Sequence, residues 1–376
     1  MANQSVALRK VNGQDRTPKY LQAREILVAA IRSGHFAPGD RLPSTAQISS
    51  LVDVSLITAQ KALEGLVEMG LLRREVGRGT YVREDFDPSN VQQPRLSIAL
   101  VLPGHVNIDD YYHSTLIQAL RREARDDLRH VEFSFNDRYD VPTRTGKEFG
   151  AICIHPPIES QADVERLARR APVVVLGGTM PGDHVACVDC DNAGGAALAI
   201  RHLVGLGHRR VLVLSGPTNM TNSRDRVNGA QAELQAAGLK LTDRDLLVSR
   251  DSVVLDEGAR ARLAARLSAK DRPTAIFAGG FYLAMAAMQV ARQAGLRLPQ
   301  DVSVVGFDDP TSAALLDPPL TTVRQPLPKM AARAFQLLAN ALQDRDAPVH
   351  GEVLPAEFIV RGSTAAPPPP ERTSPN

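Results

Sequence analysis

No stretch of this 376-residue chain approaches the roughly 20 consecutive apolar residues that a membrane-crossing helix needs. The opening residues, MANQSVALRK, lack the apolar core of a secretory signal. A soluble cytoplasmic protein is therefore expected. Cysteine is scarce: Cys153, Cys187 and Cys190 make an odd count with no histidines clustered beside them. One C-x-x-C, Cys187 to Cys190, has no second pair to complete a zinc site, so buried inert thiols are expected rather than a metal or redox centre. No HExxH, P-loop or nucleophile–base constellation is present, which speaks against an enzyme. Neither a cofactor nor a metal is implied.

What is present is globular: 43% hydrophobic and 23% charged residues, over a length that suits two or three domains. The net charge of +2 hides an asymmetry. Residues 1–83 hold 12 Lys+Arg against 7 Asp+Glu, or +5, and the remainder holds 32 against 35, or −3. A basic N-terminal module on a mildly acidic body fits a nucleic-acid reader joined to something else.

The chain is organised around Val54 to Val82. Ser55 can cap a helix, and apolar residues recur near a 3.6-residue period at Ile57, Ala59, Ala62, Leu63, Leu66 and Val67. That period turns Thr58, Gln60, Lys61 and Glu64 to the other side. Gly70 stops the helix. Leu71 to Val76 and Thr80 to Val82 read as strands joined at a Gly77-Arg78-Gly79 tip. A groove-sized helix beside a basic hairpin is the layout of a winged helix. Upstream, residues 1–17 read as loose. Tyr20 to Ser33 reads as an amphipathic helix, Arg41-Leu42-Pro43 as a short extended piece, and Ser44 as the cap of a second helix ending near Val52.

Over about residues 18–83 the chain resembles the GntR-family winged-helix domain. The match is carried by Gly39-Asp40-Arg41-Leu42-Pro43-Ser44, Val54-Ser55, Ala62-Leu63, Glu68-Met69-Gly70-Leu71-Leu72 and Gly77-Arg78-Gly79-Thr80-Tyr81-Val82. The resemblance implies that Ser44, Thr45, Ser55, Leu56, Thr58, Gln60 and Lys61 face double-stranded DNA, with Arg78 and Gly79 at the wing tip. Arginines usual in the family are missing at Ala46, Leu56 and Gln60, so a gentler salt dependence is expected. Leu56 either touches a thymine methyl or packs against the wing. Gln60 suits adenine.

Residues 84–95 read as a polar linker. From Leu96, short apolar runs alternate with helical segments. Strands are expected at Ser97–Leu102, Val131–Phe135, Ala151–Ile154, Val173–Leu176, Val185–Asp189, Val211–Leu214, Ala275–Ala278 and Val302–Phe307. Helices are expected between most of them, with a last helix at Pro328 to Gln343 and a last strand at Val353 to Val360. Continuously apolar strands alternating with helices mean parallel sheets covered on both faces, in two lobes. Residues 363–376 read as a disordered proline-rich tail.

Residues 96–362 resemble the LacI-type sensor domain, an α/β two-lobed fold shared with periplasmic sugar-binding proteins. The motifs are Asp191-Asn192-Ala193-Gly194-Gly195, His202 to Arg209, Ser215-Gly216-Pro217, Arg224 to Gly229, Arg272 to Ala278, Pro299 to Asp309 and Pro318 to Pro326. A GntR head on such a body is similar to the arabinose-responsive repressors. The resemblance implies a homodimeric repressor on a pseudo-palindromic operator, controlled by a small effector, a sugar or sugar derivative, between the lobes. It places Tyr111, Tyr112, Cys190, Arg226, Phe281, Asp308 and Gln325 at that effector. For two of them a plainer role stays open: Arg226 pairing only with Asp225, and Asp308 capping the loop before Pro310. Relatives have Ala-Asn-Asp where this chain has Gly279-Gly280-Phe281, an acidic contact where Gly177 stands, and a crossover helix where Asn136 to Glu148 is short and proline-broken. These departures leave open a flat, nucleoside-like effector or a degenerate sensor. A transport-type binding protein shares the fold but not the DNA head. Aminotransferase-like bodies also follow GntR heads, but their length and pyridoxal-phosphate lysine context are missing here.

Overall fold

The computed structural model describes residues 8, 10–11, 19–68, 70–75, 77–85, 96–102, 108–126, 131–141, 148–181, 185–344 and 350–369. These fall into two compact units divided at residue 95. Most of the expected linker (86–95) and the end of the tail (370–376) lie outside the described residues.

The first unit contains α1 (Lys19–Arg32), α2 (Thr45–Val52), α3 (Leu56–Glu68), β1 (Leu72–Glu75) and β2 (Gly79–Val82). α2 starts with a capping box: Gln47 N–H donates to Ser44 Oγ at 3.3 Å, and Ser44 N–H donates to Gln47 Oε1 at 2.9 Å. α3 starts at Ser55, whose Oγ accepts from Thr58 N–H at 3.2 Å. Gly70, at φ 70°, ends α3 and lets Leu71 N–H reach back to the Leu66 carbonyl. β1 and β2 pair antiparallel, with Leu72 opposite Val82 and Glu75 opposite Gly79. Arg41 adds a bridge to Tyr81, so the extended piece before α2 becomes a third edge of the ribbon. Leu27, Ile31, Ile48, Val52, Ala59, Leu63, Leu66 and Val82 form the core.

Two expectations for this unit fail. Ile57, assigned by periodicity to the buried face, is 79% exposed. At about 100° per residue it lies opposite the stripe of Ala59, Ala62, Leu63 and Leu66, on the outer side of α3. The first 17 residues are not wholly loose either: Leu8 and Val11 pack on the core, and Val11 N–H donates to the Val52 carbonyl at 3.0 Å.

The second unit has two lobes. The first begins with β3 (Leu96–Val101), α4 (Tyr111–Asp126), β4 (Val131–Asn136), β5 (Glu148–Ile154), α5 (Gln161–Ala168), β6 (Val173–Leu176) and β7 (Ala186–Cys190). The chain then crosses to the second lobe: α6 (Asn192–Gly205), β8 (Val211–Ser215), α7 (Thr221–Ala236), β9 (Leu246–Val248), α8 (Glu257–Ser268), β10 (Ala275–Ala278), α9 (Phe281–Gln293), β11 (Ser303–Phe307) and β12 (Thr321–Arg324). It returns for α10 (Leu327–Gln343) and β13 (Glu352–Leu354), and crosses once more for β14 (Glu357–Ile359). The strand orders are β13-β7-β6-β5-β3-β4 and β14-β12-β11-β10-β8-β9, parallel throughout except for β14 against β12. Three crossings therefore join the lobes, at 190–192, 324–327 and 354–357.

The single final strand expected at Val353 to Val360 is two strands in two sheets, because Pro355-Ala356 carries the chain between lobes. β9 and β12 were not anticipated. Both are short, and three of the four residues of β12 are threonine or arginine rather than an apolar run. Residues 137–141 form no helix, as expected, and 142–147 lie outside the described residues. The tail expectation is corrected as far as Pro369. Ser363 is fully buried, its carbonyl accepts from Val304 N–H at 2.9 Å, and the Ala365 carbonyl accepts from Ser303 Oγ at 3.1 Å. Proline composition suggested disorder, but the carbonyls of this segment remain acceptors and β11 supplies their donors.

The helix pair α6–α7 explains one motif glycine. A Cβ at Gly229 would overlap the backbone of Ala193, so the two helices approach as closely as they do only with glycine there. Gly229→Ala must push the pair apart. The expected outcome is a destabilisation of about 1–3 kcal/mol, read as a melting temperature lower by several degrees in calorimetry. An unchanged melt would contradict the close approach.

Candidate functional site

Strand ends converge between the lobes. His155 follows β5, Gly279 and Gly280 follow β10, and Asp308 follows β11, so all three sit at carboxyl ends of parallel strands, where open α/β sheets hold ligands. With the start of α4 (Asp110 to His113), Asn222, Ser223 and Arg226 of α7, Phe281 and Tyr282 of α9, and Ser252-Val253, they line a cavity of about 60 Å³. Hydrogen bonds span the lobes around it. Tyr111 N–H donates to Tyr282 Oη at 3.1 Å, Ile158 N–H to the Asn219 carbonyl at 2.8 Å, and Thr179 N–H to Thr221 Oγ1 at 3.2 Å. His155 and Asp308 both have left-handed backbones, at φ 52° and 75°. Such conformations are costly for residues with side chains and gather at functional sites.

Arg226 is the fixed point of the wall. Its Nε donates to Asn192 Oδ1 at 2.9 Å, its Nη1 to the Gly279 carbonyl at 2.7 Å, and its guanidinium lies 3.7 Å from the Phe307 ring centroid. It does not pair with Asp225, which meets Arg224 instead. Asp308 accepts from Gln325 Nε2 at 2.6 Å. Burial pushes the Asp308 carboxyl above its usual range, against the opposing pull of Arg226 and of the Gln325 bond. Asp189, inside the same wall, is pushed up to about 7, again by burial.

Five of the seven expected effector residues come together at the cavity: Tyr111, Tyr112, Arg226, Phe281 and Asp308. Gln325 does not line it; it is buried behind Asp308, which it orients. Cys190 is not on the lining either. It closes β7 with its side chain in the core of the first lobe, and burial pushes its thiol up to about 12. Cys187 and Cys190 are three residues apart on one strand, so they point to opposite faces and cannot bridge.

Gly177 is explained by a neighbour. Its φ is 79°, and a Cβ there would overlap the Tyr112 hydroxyl. The missing side chain makes room for the half-buried Tyr112, whose hydroxyl pKa burial raises well above the usual value.

Two histidines escaped the sequence reading. His113 Nδ1 meets Asp110 Oδ2 at 2.8 Å, while its Nε2 and that of His155 are buried without a partner. Both side chains line the cavity, with ring centroids 6.1 Å apart. Asp110 Oδ2 fixes the orientation of the His113 ring through Nδ1. Burial, followed by the neighbouring His113, lowers the His155 pKa to about 3, so it is neutral at ordinary pH. Nothing around a lone histidine in the sequence could have signalled this pairing. The only local hint was Asp110 three residues before His113, a spacing that meets on a helix start.

In the first unit, the expected DNA-facing residues fall into two groups. Arg78 stands at the wing tip, its side chain 80% exposed, and Gly79 passes so close to the Arg41 guanidinium that a Cβ would lie 2.8 Å from Arg41 Nε. Arg41 is thus a second cation at the wing that the sequence reading missed. Ser44 and Ser55 are occupied as caps, and Ser55 Oγ and Thr58 Oγ1 are 2.7 Å apart. Thr45 opens α2 and is half-buried. Leu56, 54% exposed, is not packed away. Gln60 donates to Glu64 Oε1 at 2.9 Å, and the Lys61 ammonium sits 4.1 Å from the Tyr20 ring centroid.

The His155 shift has a measurable sign. The unfolded histidine takes a proton as pH falls through about 6.5, and the folded one does not until about 3. The unfolded state therefore binds more protons in that window, and stability is lost as pH falls. The raised Asp189 acts oppositely between its ordinary 3.8 and about 7. His155→Gln should remove the first contribution alone, so its melting temperature should fall less than that of the wild type between pH 7 and pH 4. Parallel curves would refute a buried neutral imidazole.

Comparisons with known proteins agree with this geometry. Residues 19–82 match the model of bacterial regulatory proteins of the gntR family, and residues 200–364 that of a periplasmic binding protein-like domain. The chain is 26% identical over 361 residues to the arabinose metabolism transcriptional repressor of Geobacillus stearothermophilus, covering 92% of this chain and 98% of that one. It is 29% identical over 279 residues to the transcriptional regulator DegA of Bacillus subtilis, covering 71% of this chain and 80% of that one. A solved LacI-family regulatory protein from Chloroflexus aggregans superposes with a TM-score of 0.63 at 26% identity, covering 71% of this chain and 98% of that chain. The chain joins a GntR-family winged-helix head to a periplasmic-binding-protein-like body, and its relatives are transcription regulators of the GntR and LacI types.

Proposed function

We propose that this protein is a transcription repressor whose operator affinity is set by a small molecule held between the lobes. The observation that carries the reading is the cavity wall. Two histidines whose Nε2 atoms are buried without a partner belong to the wall of a space that both lobes line, in a chain whose other unit exposes a helix and a cationic wing. Buried polar atoms are normally satisfied, so unsatisfied ones in a cavity wall speak for a ligand that supplies the missing partners. Within this reading the protein is a cytoplasmic homodimer without enzymatic activity. Two heads then meet the two half-sites of a pseudo-palindrome.

The effector chemistry follows from the wall. The Asp308 carboxyl accepts, the Arg226 guanidinium donates, and Phe281 and Tyr282 offer rings 5.2 Å apart. A neutral ring compound with hydroxyl donors and one flat apolar face fits this set, as a monosaccharide does. The two abutting rings also favour a second reading, a nucleoside-like ligand stacked by its base. An anion is disfavoured by Asp110 and Asp308. The ligand acts by binding one lobe arrangement better than another, with the bonds at Tyr282, Asn219 and Thr221 as the contacts that differ.

A thermal-shift screen of the full chain against monosaccharides, polyols, sugar acids and nucleosides tests the reading, since a binder raises the melting temperature by mass action. Absence of any shift across the panel would count against an intact sensor. Asp308→Asn keeps the Gln325 contact but loses the charge. It should cut the effector-induced shift by at least about tenfold in affinity and leave operator binding unchanged. Loss of both would make the aspartate structural.

For the head, Arg78→Ala should weaken operator binding and lower the slope of log affinity against log salt by about 1. An identical slope would remove the wing from the interface.

A further inference from the structure

The outer turn of α3 presents aliphatic side chains that the core does not use. α3 buries Ala59, Ala62, Leu63 and Leu66, a stripe at i, i+3, i+4 and i+7. At about 100° per residue, Ile57 lies opposite that stripe, and Leu56 flanks it. They are 79% and 54% exposed. The polar neighbours on this face are turned to partners within the protein: the Gln60 amide to Glu64, and the Lys61 ammonium to the Tyr20 ring. The crown of the helix therefore sets two unpartnered aliphatic side chains beside polar neighbours that already have partners.

Single exposed aliphatic residues are ordinary. Two in succession on the groove helix of a gntR-family head are another matter. The module around them carries a net +5 over residues 1–83, with Arg78 and Arg41 at the wing. An apolar patch among cations suits a polyanion that has an apolar feature of its own, and the major groove has one: the thymine 5-methyl group.

We propose that Leu56 and Ile57 together read thymine methyl groups in the operator half-site. Base discrimination at those positions then comes from apolar contact, in place of the guanidinium–guanine hydrogen bonds that an arginine at 56 would make. The inference rests on the reading of α3 as the groove helix and adds the chemistry that this helix recognises.

The test begins with selection of duplexes from a random library by the full-length protein. Affinity is then measured on the selected duplex and on copies in which uracil replaces thymine one position at a time, which removes only the methyl. The expected result is a loss of about fourfold for each contacted methyl, at one or two positions per half-site. The Leu56→Ala/Ile57→Ala variant should bind the thymine and uracil duplexes equally. Both side chains are exposed and alanine favours helix, so the variant should melt like the wild type. The uracil scan of the wild type stands even if it does not. Indifference of the wild type to uracil everywhere would overturn the proposal. So would a variant that still discriminates, or one that changes only the oligomeric mass, which would give the patch to a protein contact. Failure to enrich any duplex would instead overturn the reading of the head as a sequence-specific binder.

Discussion

One guanidinium organises the sensor. Arg226 is buried, so its charge must be met inside the protein. It is met by Asn192 at the first crossing between lobes, by the Gly279 carbonyl at the end of β10, and by the face of Phe307 at the end of β11. These are separate pieces of chain, and the cavity wall is where they meet. Its charge also opposes the effect of burial on Asp189 and Asp308. Without it, both carboxyls would face a low-dielectric site with less to favour ionisation. The acceptor that an effector would meet at Asp308 thus depends on an arginine more than 80 residues earlier.

The lobe arrangement has a similar economy. Each lobe completes its sheet with chain that arrives late: β13 joins the first lobe and β14 the second, three residues apart. α10 returns to cover the first lobe after the second is built. Such interleaving makes each crossing a hinge and ties lobe movement to short segments beside the cavity. The segment after Arg361 extends this by binding its carbonyls to β11 and to His208.

Much of this was legible beforehand. Parallel strands covered on both faces are continuous apolar runs, so β6 and β10 were located to the residue, and the motifs around Arg226 and Asp308 marked the wall. Two short strands gave no such signal: β9 is only three residues long, and β12 is mostly threonine and arginine. Ile57 shows the limit of periodicity. It precedes Ala59 by two residues, about 200° around the helix, so an apolar residue close to the stripe in the sequence lies opposite it in space. Gly177 reads as a lost contact in isolation; in the fold it is the space that Tyr112 occupies.

The sequence by itself determined the two modules, their order, the α/β class of the body and the basic character of the head, because these follow from local pattern and from motif spacing. Only the tertiary structure decided which side chains are free to act. His113 and His155 become a pair because α4 starts and β5 ends at the same cavity, and Cys190 is withdrawn because, as the last residue of β7, it faces the core of the first lobe. Leu56 and Ile57 stand free because α3 turns Ala59, Ala62, Leu63 and Leu66 to its core instead. Local pattern reports what a residue can be, whereas burial and partnering are sums over distant segments, and only packing fixes those.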